Sequence, residues 1–170
     1  NYRIKAFGQS DHAGTTPMPY RKDALYAAAK LLQYLHDELD KLDKALVYTT
    51  GEIVCHPNVH TVIPDFVEFS IDARHEDPNV IEQVVEVIKN MPKEIVGCTT
   101  GYERAWSRDT VYYDEKPVGY VTEAVNELGY SNQRINSGAG HDAQFVSYMM
   151  PTTMIFVPSK DGHSHCEEEF

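Results

Sequence analysis

Three segments of the sequence place histidine beside glycine and small polar residues, a combination typical of ligand-binding loops. They are Asp11-His12-Ala13-Gly14-Thr15-Thr16-Pro17, Gly138-Ala139-Gly140-His141-Asp142-Ala143 and Asp161-Gly162-His163-Ser164-His165-Cys166-Glu167-Glu168. Glycine lets the backbone approach a ligand closely, so a neighbouring histidine can reach it. In the last segment, carboxylates follow His165 at two and three residues, which suits a metal ligand with acid nearby to orient it. The residues alone leave two alternatives open, a metal-dependent hydrolase and a set of ordinary surface histidines.

The elements that must position the first segment alternate between strands and helices. The predicted order is strand 2–8, helix 21–42, strand 46–55 with a break at Gly51, strand 66–73, helix 77–91 and strand 94–106. The first helix shows the apolar period of an amphipathic helix, and the third strand alternates with Val67, Phe69 and Ile71 on one face. This β-α-β-β-α-β order predicts a ferredoxin-like domain, an antiparallel sheet with two helices on one face.

The sequence changes character after about Arg108, where part of an α/β layer is predicted. The predicted order is helix 117–128, short strand 132–136, helix 141–149 and apolar strand 152–158. Open α/β sheets place their active sites at strand ends, so the segment with His165 lies where a site is expected. About 60 residues are too few to form a full core of their own.

The composition narrows the function classes. The formal net charge of −11 argues against a nucleic-acid partner, because phosphate binding requires clustered Lys and Arg. No segment approaches the ~20 apolar residues that cross a bilayer, so no membrane partner is expected. Three cysteines without metal-knuckle spacing favour free thiols and a cytoplasmic setting. The first residues have neither a signal-like apolar region nor an initiator Met, so we expect a fragment.

Four segments, taken together and in order, resemble the motif series of a known family. They are DHAGTTPMPYRKDAL (11–25), PNVHTVIPDFVEFSIDARH (57–75), SGAGHDAQ (137–144) and MIFVPSKDGHSHCEEE (154–169). The series is similar to that of the N-carbamoyl-L-amino acid hydrolase, allantoate amidohydrolase and β-alanine synthase family, relatives of the dimeric metallo-exopeptidases. The resemblance implies a two-metal catalytic domain interrupted by an inserted ferredoxin-like lid and dimerisation domain. Residues 1–108 would be the lid, and residues 109–170 an incomplete C-terminal part of the catalytic domain, giving an α+β and α/β fold.

The resemblance also implies roles for individual residues. His165 matches a metal ligand, and His12 matches the catalytic lid histidine that stabilises the tetrahedral intermediate. Arg74 matches the arginine that binds the substrate carboxylate, and His141 matches a substrate contact. Thr61 stands where the family has a substrate-binding asparagine; its hydroxyl can still form a hydrogen bond, but the fork of the amide is lost.

The implied activity is hydrolysis of a carbamoyl or ureido C–N bond in a small carboxylate-bearing substrate, such as an N-carbamoyl amino acid or allantoate. The implied cofactor is a pair of divalent metal ions, with zinc expected and Mn, Co or Ni as alternatives. The family takes its other ligands and its general base from the part that precedes the lid, so we expect the pair to be incomplete here and the chain alone to be inactive. A homodimer through the lid is expected. The alternatives are a lid and dimerisation module without catalysis, and an aminoacylase or dipeptidase of the wider clan. His163 and Cys166 depart from the family pattern, which leaves the substrate open.

Overall fold

The computed structural model describes residues 1–167. The chain forms two compact units, Asn1–Thr110 and Val111–Phe170. The strands are β1 (Tyr2–Phe7), β2 (Val47–Thr49), β3 (Ile53–His56), β4 (Phe66–Arg74), β5 (Glu94–Ile95) and β6 (Cys98–Arg104). The helices are α1 (Ala24–Leu39), α2 (Pro78–Lys89), α3 (Glu115–Glu127) and α4 (Ala143–Ser147). Within the described residues, no helix is long and apolar enough to span a membrane.

The first unit is built on a six-stranded antiparallel sheet in the order β2-β4-β1-β6-β5, with β3 also paired to β4. Strand β1 lies between β4 and β6 and runs antiparallel to both, so that Phe7 lies opposite Phe66 at one end of the sheet. At the other end of β4, Arg74 lies opposite Val47 of β2. The long strand β4 therefore runs between two ends of the sheet. The loop that carries His12 follows β1 at one end, and Arg74 lies at the other.

Alternation along the strands places one face of this sheet in the core. Ile4, Val67 and Ile71 are fully buried against apolar residues of α1 and α2, including Leu35 and Ile88. The apolar stripe of α1 and the alternation of β4 are therefore confirmed. Each helix begins where the sequence offers a cap, because carboxylate oxygens of Asp23 and Asp77 accept hydrogen bonds from backbone N–H groups of the first turn.

Two predicted strands are each divided in the structure. The break expected at Gly51 is present: β2 and β3 flank it, and the Ser70 hydroxyl accepts the N–H groups of Gly51 at 3.2 Å and Glu52 at 3.1 Å. The predicted strand 94–106 is instead a hairpin of β5 and β6. Val96 and Gly97 turn the chain there with positive φ values of 44° and 77°, a two-residue turn of the kind that joins twisted antiparallel strands.

The second unit has helices but no strands among residues 111–167. The prediction of strands at 132–136 and 152–158 is wrong for these residues, because a strand requires a neighbouring backbone to pair with. The apolar run stays exposed instead, with Ile155 at 69% and Val157 at 82% of full exposure. Helix α3 is confirmed close to its predicted bounds, and Gly129 follows it with φ 75°.

Candidate functional site

His12 lies in an exposed loop that follows β1. The loop is tied to the segment before β4 by an isolated antiparallel bridge between His12 and Val62. Two backbone hydrogen bonds flank this bridge, from Ala13 N–H to the Thr61 carbonyl and from Ile63 N–H to the Asp11 carbonyl, both 2.9 Å long. The structure therefore brings together two residues predicted from distant parts of the sequence, His12 and Thr61.

The ring of His12 is held by its own loop. Gly14 N–H donates to His12 Nδ1 at 2.9 Å, and a ring nitrogen that accepts a hydrogen bond carries no proton. The neutral ring must then carry its proton on Nε2, which becomes a hydrogen-bond donor. Gly14 leaves little room for a side chain, because a Cβ there would lie 3.1 Å from His12 Cε1.

A second hydrogen-bonded group fixes the base of this site. The Asp65 carboxylate accepts the Ser10 hydroxyl on one oxygen and bonds His56 Nδ1 with the other, each at 2.8 Å. These bonds, His56 first, hold the pKa of Asp65 below its ordinary value. The group links the loop of His12 to both ends of the segment that carries Thr61, so the two loops are held at their origins as well as at their bridge.

Arg74 ends β4 with its side chain 48% exposed. Its Nε donates to Asp72 Oδ1 at 2.7 Å. Burial opposes ionisation of Asp72, but the bonds from Arg74 and Asn1 outweigh it and lower the pKa of this carboxyl. The next residue anchors the strand end, because the buried His75 ring accepts the Asp77 N–H on Nδ1 at 2.9 Å. Arg74 is thus an exposed guanidinium on a fixed piece of backbone.

His12 and Arg74 lie at opposite ends of the sheet. His12 follows β1 at Phe7, which pairs with Phe66 at the start of β4, whereas Arg74 ends β4. Eight steps along a strand, at about 3.3 Å per residue, separate Phe66 from Arg74 by roughly 26 Å. Within one copy of the first unit, the structure therefore does not bring His12 and Arg74 together.

The two remaining predicted residues lie in the second unit. His141 precedes α4, its Nε2 is 2.7 Å from the Ser137 hydroxyl, and its ring packs edge-on against Phe156 with centroids 5.5 Å apart. Asp142 is the N-cap residue of α4 but forms no side-chain cap bond. The hydroxyl of Ser137 bonds the His141 ring instead. His165 is exposed and has a positive φ of 59°.

Metal-ligating side chains do not cluster in the part of the chain that the structure describes. Among residues 1–167, no group of three or more His, Cys, Asp or Glu side chains could hold a metal ion. The His, Cys, Asp and Glu side chains of the described residues, His165 included, therefore do not form a metal site by themselves. Glu168 and Glu169, which follow His165 in the predicted segment, lie outside the described residues. Cys55, Cys98 and Cys166 are free thiols, as predicted.

Comparison with known proteins identifies the family. The sequence model of peptidase family M20/M25/M40 matches residues 20–170. The chain belongs to this family. Its M20 relatives include the allantoate amidohydrolase of Bacillus subtilis (strain 168), which is 38% identical over 99% of this chain and 42% of its own length. The N-carbamoyl-L-amino-acid amidohydrolase of Paenarthrobacter aurescens is 32% identical over 99% of this chain and 42% of its length.

A solved structure in the same group supports the M20 assignment. The amidase of the hydantoinase/carbamoylase family from Burkholderia vietnamiensis superimposes with a TM-score of 0.82 at 36% identity, over 99% of this chain and 41% of that one. This chain thus spans about two fifths of the length of the relatives that it matches. Sequence reasoning missed two residues that bond the candidate histidines, Gly14 at His12 and Ser137 at His141. The available signal for each was its position inside a segment that carries a candidate histidine.

Proposed function

We propose that this chain supplies the carboxylate-binding and dimerisation part of an amidohydrolase that cleaves a carbamoyl or ureido C–N bond in a small carboxylate-bearing substrate. The activity is proposed for the parent protein, meaning a protein that contains this chain together with the rest of the M20 fold. The relatives are named allantoate and N-carbamoyl-L-amino-acid amidohydrolases. The observation that carries the proposal is the His12 ring, whose geometry turns an exposed histidine into a hydrogen-bond donor.

His12 acts as the donor to the negative charge that develops on the scissile carbonyl oxygen. A donor oriented in advance stabilises that charge more than it stabilises the ground-state carbonyl, and one such donor contributes about 3–4 kcal/mol. The Gly14 N–H fixes the proton on Nε2 before substrate arrives. Little reorganisation is then needed at the moment of reaction, which is the physical advantage of a ring held by its own loop.

Arg74 binds the substrate carboxylate. A guanidinium presents five N–H donors in a planar fork, a geometry that matches a carboxylate. The bond from Nε to Asp72 fixes the plane of that fork at the end of β4. Lysine in this position would keep the charge but lose the two-point geometry. Thr61 offers a hydroxyl next to His12, where it can contact a polar substrate group.

The placement of His12 and Arg74 at opposite ends of the sheet supports the proposed homodimer. The two ends of β4, Phe66 and Arg74, are roughly 26 Å apart, which exceeds the length of an N-carbamoyl amino acid or of allantoate, so we do not expect one copy of the first unit to offer both residues to one molecule. A second copy that placed its His12 beside the first copy's Arg74 would complete the site. Closed two-fold dimers, the commonest oligomers, would form two such sites per dimer.

The strand order of the first unit supports the proposed domain division. Residues 1–108 form the ferredoxin-like lid. The four main strands along the chain are β1, β2 with β3 as one interrupted strand, β4, and β6. Across the sheet they stand in the order second, third, first, fourth, which is the ferredoxin-like order. Residues 109–170 belong to the catalytic domain, where His141 would contact substrate and His165 would ligate metal. M20 enzymes generally depend on divalent metal ions. The described residues do not form a metal site by themselves; their side chains bind and orient substrate and stabilise developing charge.

The test is the steady-state kinetics of Arg74 variants of the parent, assayed on allantoate and a panel of N-carbamoyl amino acids. Loss of a charge-assisted carboxylate contact costs about 2–5 kcal/mol, so Arg74→Ala should lower kcat/KM at least about thirtyfold. Arg74→Lys, the matched control that keeps the charge, should recover only part of the loss. Unchanged kcat/KM for every substrate in the Ala variant would remove the carboxylate role.

The products separate the proposed reaction from its alternatives. Ammonia release from carbamoyl or ureido substrates supports the proposal, whereas release of an acid from acylated amino acids or dipeptides would indicate an aminoacylase or dipeptidase. Sedimentation and metal analysis of the parent test the remaining alternative, a lid and dimerisation module without catalysis. A metal-free dimer without turnover of any substrate would identify a dimerisation module.

A further inference from the structure

The loop that carries His12 is closed at its base. Gln9 N–H donates to the Lys22 carbonyl at 2.9 Å, and Gly8 N–H donates to the Asp65 carbonyl at 2.7 Å. Residues 9–22 therefore leave and rejoin the body of the unit at one point, in the manner of a compact surface loop whose ends are close together. Such a loop keeps a defined shape only if its interior backbone groups are paired.

Arg21 braces the interior of this loop. Its Nε donates to the Thr16 carbonyl at 2.9 Å, and its Nη2 forms a short hydrogen bond to the Ala13 carbonyl. The turn between these carbonyls is closed from the other side, because the His12 carbonyl accepts Thr16 N–H at 3.1 Å. The guanidinium thus spans the turn that begins at His12.

The acceptors of Arg21 are main-chain carbonyls. In residues 1–167, Arg21 forms no ion pair with a carboxylate within 4.0 Å. A partly buried cation that bonds only to carbonyls contributes little through charge pairing, and its effect lies in where it fixes those carbonyls. The fork of arginine can hold two carbonyls at once, whereas a lysine offers one compact ammonium group.

One peptide group connects Arg21 to the ring of His12. The carbonyl of Ala13 and the N–H of Gly14 belong to the same peptide unit, which is planar and rigid. Arg21 donates to the oxygen of this peptide unit, and the N–H of the same unit donates to His12 Nδ1. Fixing the oxygen therefore fixes the direction of the N–H, and a hydrogen bond at the oxygen also polarises the N–H and makes it a stronger donor.

We propose that Arg21 is a positioning residue that sets the tautomer and orientation of His12 through the Ala13–Gly14 peptide group. Arg21 itself contacts no reacting atom in this arrangement. The use of the oriented His12 as an oxyanion donor rests on the proposed function, but the dependence of the His12 tautomer on Arg21 does not. Loss of Arg21 should leave the peptide free to rotate, so that the ring loses its Nδ1 hydrogen bond and exchanges between tautomers.

The test is nitrogen-15 NMR of the His12 ring in the chain, recorded at pH 9, above the ordinary titration range of histidine. His12→Gln identifies the His12 signals among those of the eight histidines. In the unsubstituted chain, Nδ1 should show the shift of an acceptor nitrogen. A net hydrogen bond of ordinary strength corresponds to about a fivefold change in the tautomer ratio, so Arg21→Gln should lower the ratio of Nε2–H to Nδ1–H by about that factor. Arg21→Lys should lower it less, and the control Arg104→Gln, on β6, should leave it unchanged.

An unchanged ratio in Arg21→Gln, with an amide spectrum that shows an intact fold, would overturn the proposal. If the Gln variant does not fold, Arg21→Lys decides. A compact ammonium group cannot hold both carbonyls, so the ratio should still fall, and an unchanged ratio would overturn the proposal. The readout uses no substrate. If the ring responds to Arg21 but a His12→Ala parent hydrolyses normally, the proposed function is rejected and this inference stands. If the ring does not respond but the His12→Ala parent loses activity, this inference is rejected and the proposed function stands.

Discussion

Gly8 lies where three backbone segments cross, and its replacement should be among the most damaging single changes in the first unit. A Cβ on Gly8 would lie 2.1 Å from the Lys22 carbonyl oxygen and 2.9 Å from Ala24 N. An ordinary carbon–oxygen contact is about 3.3 Å, so Gly8→Ala requires a backbone shift of about 1 Å. Backbone atoms cannot rotate away as a flexible side chain can, and the shift must separate segments that hydrogen bonds join.

The expected loss can be estimated from these contacts. Overpacking of a tight site costs about 1–3 kcal/mol. The shift also strains the bonds from Gln9 N–H to the Lys22 carbonyl and from Ala24 N–H to the Pro64 carbonyl, each of which contributes about 1 kcal/mol. The total is about 3–5 kcal/mol, a large share of the ~5–15 kcal/mol that stabilises a typical domain.

Urea unfolding followed by circular dichroism and by fluorescence of the single tryptophan, Trp106, measures this loss. With an m-value of about 2 kcal/mol/M, the midpoint should fall by roughly 2 M. Gly51→Ala is the matched control, because the nearest atom to its Cβ, Thr49 Cγ2, is 3.8 Å away, and it should change stability by less than about 0.5 kcal/mol. A loss below about 1 kcal/mol in Gly8→Ala, under the lower bound for overpacking, would refute the close approach of these segments.

Three further predictions concern pH and helix stability. Burial, and then the bond to Asp40, raise the pKa of Tyr48 to about 12. Because an unfolded tyrosine titrates near pH 10, the free energy of unfolding should fall between about pH 10 and 12. A Tyr48→Phe variant with the same alkaline fall in urea midpoint would contradict this. The bond to His56 lowers the pKa of Asp65, so the stability that the Asp65 carboxylate contributes is present above about pH 4 and is lost as the pH falls further. Asp65→Asn should therefore reduce the fall in melting temperature on the acid side of a plot of melting temperature against pH. An unaltered acid slope in this variant would exclude the bond. Gly119 in α3 has open space around it, with nothing within 4 Å of the position that a Cβ would take, so Gly119→Ala should add about 0.5–1 kcal/mol of helix stability, and a lower melting temperature would show that this face of α3 is packed.

Local patterns in the sequence predicted both helices and the main strands of the first unit, but the predicted helix 21–42 began before its cap at Asp23. Strand β4 alternates so regularly that its buried face could be named residue by residue. The division of the second predicted strand at Gly51 was also visible. The hairpin at Val96 and Gly97 was not, because a β-branched residue with positive φ runs against local preference and is imposed by the pairing of its neighbours.

The second unit shows the limit of such patterns. Residues 152–158 have the composition of a buried strand, but composition does not supply the neighbouring strands that would pair with it, and none lies in residues 111–167. The site shows a similar limit. Motifs pointed to His12, but only the structure shows that Gly14 N–H bonds its Nδ1 and that Arg21 holds the same peptide group. The partner of His141 is Ser137 and not Asp142, a choice that depends on loop shape.

The central claim is that His12 and Arg74 act on one substrate from two copies of the chain. The most direct measurement is the activity of a mixed dimer of the parent, isolated with two different affinity tags, in which one copy carries His12→Ala and the other Arg74→Ala. If the site combines residues of both copies, one of its two sites has both residues intact, so the mixed dimer should recover about half of the unsubstituted activity while each variant homodimer stays impaired. A mixed dimer no more active than the two homodimers would contradict the account.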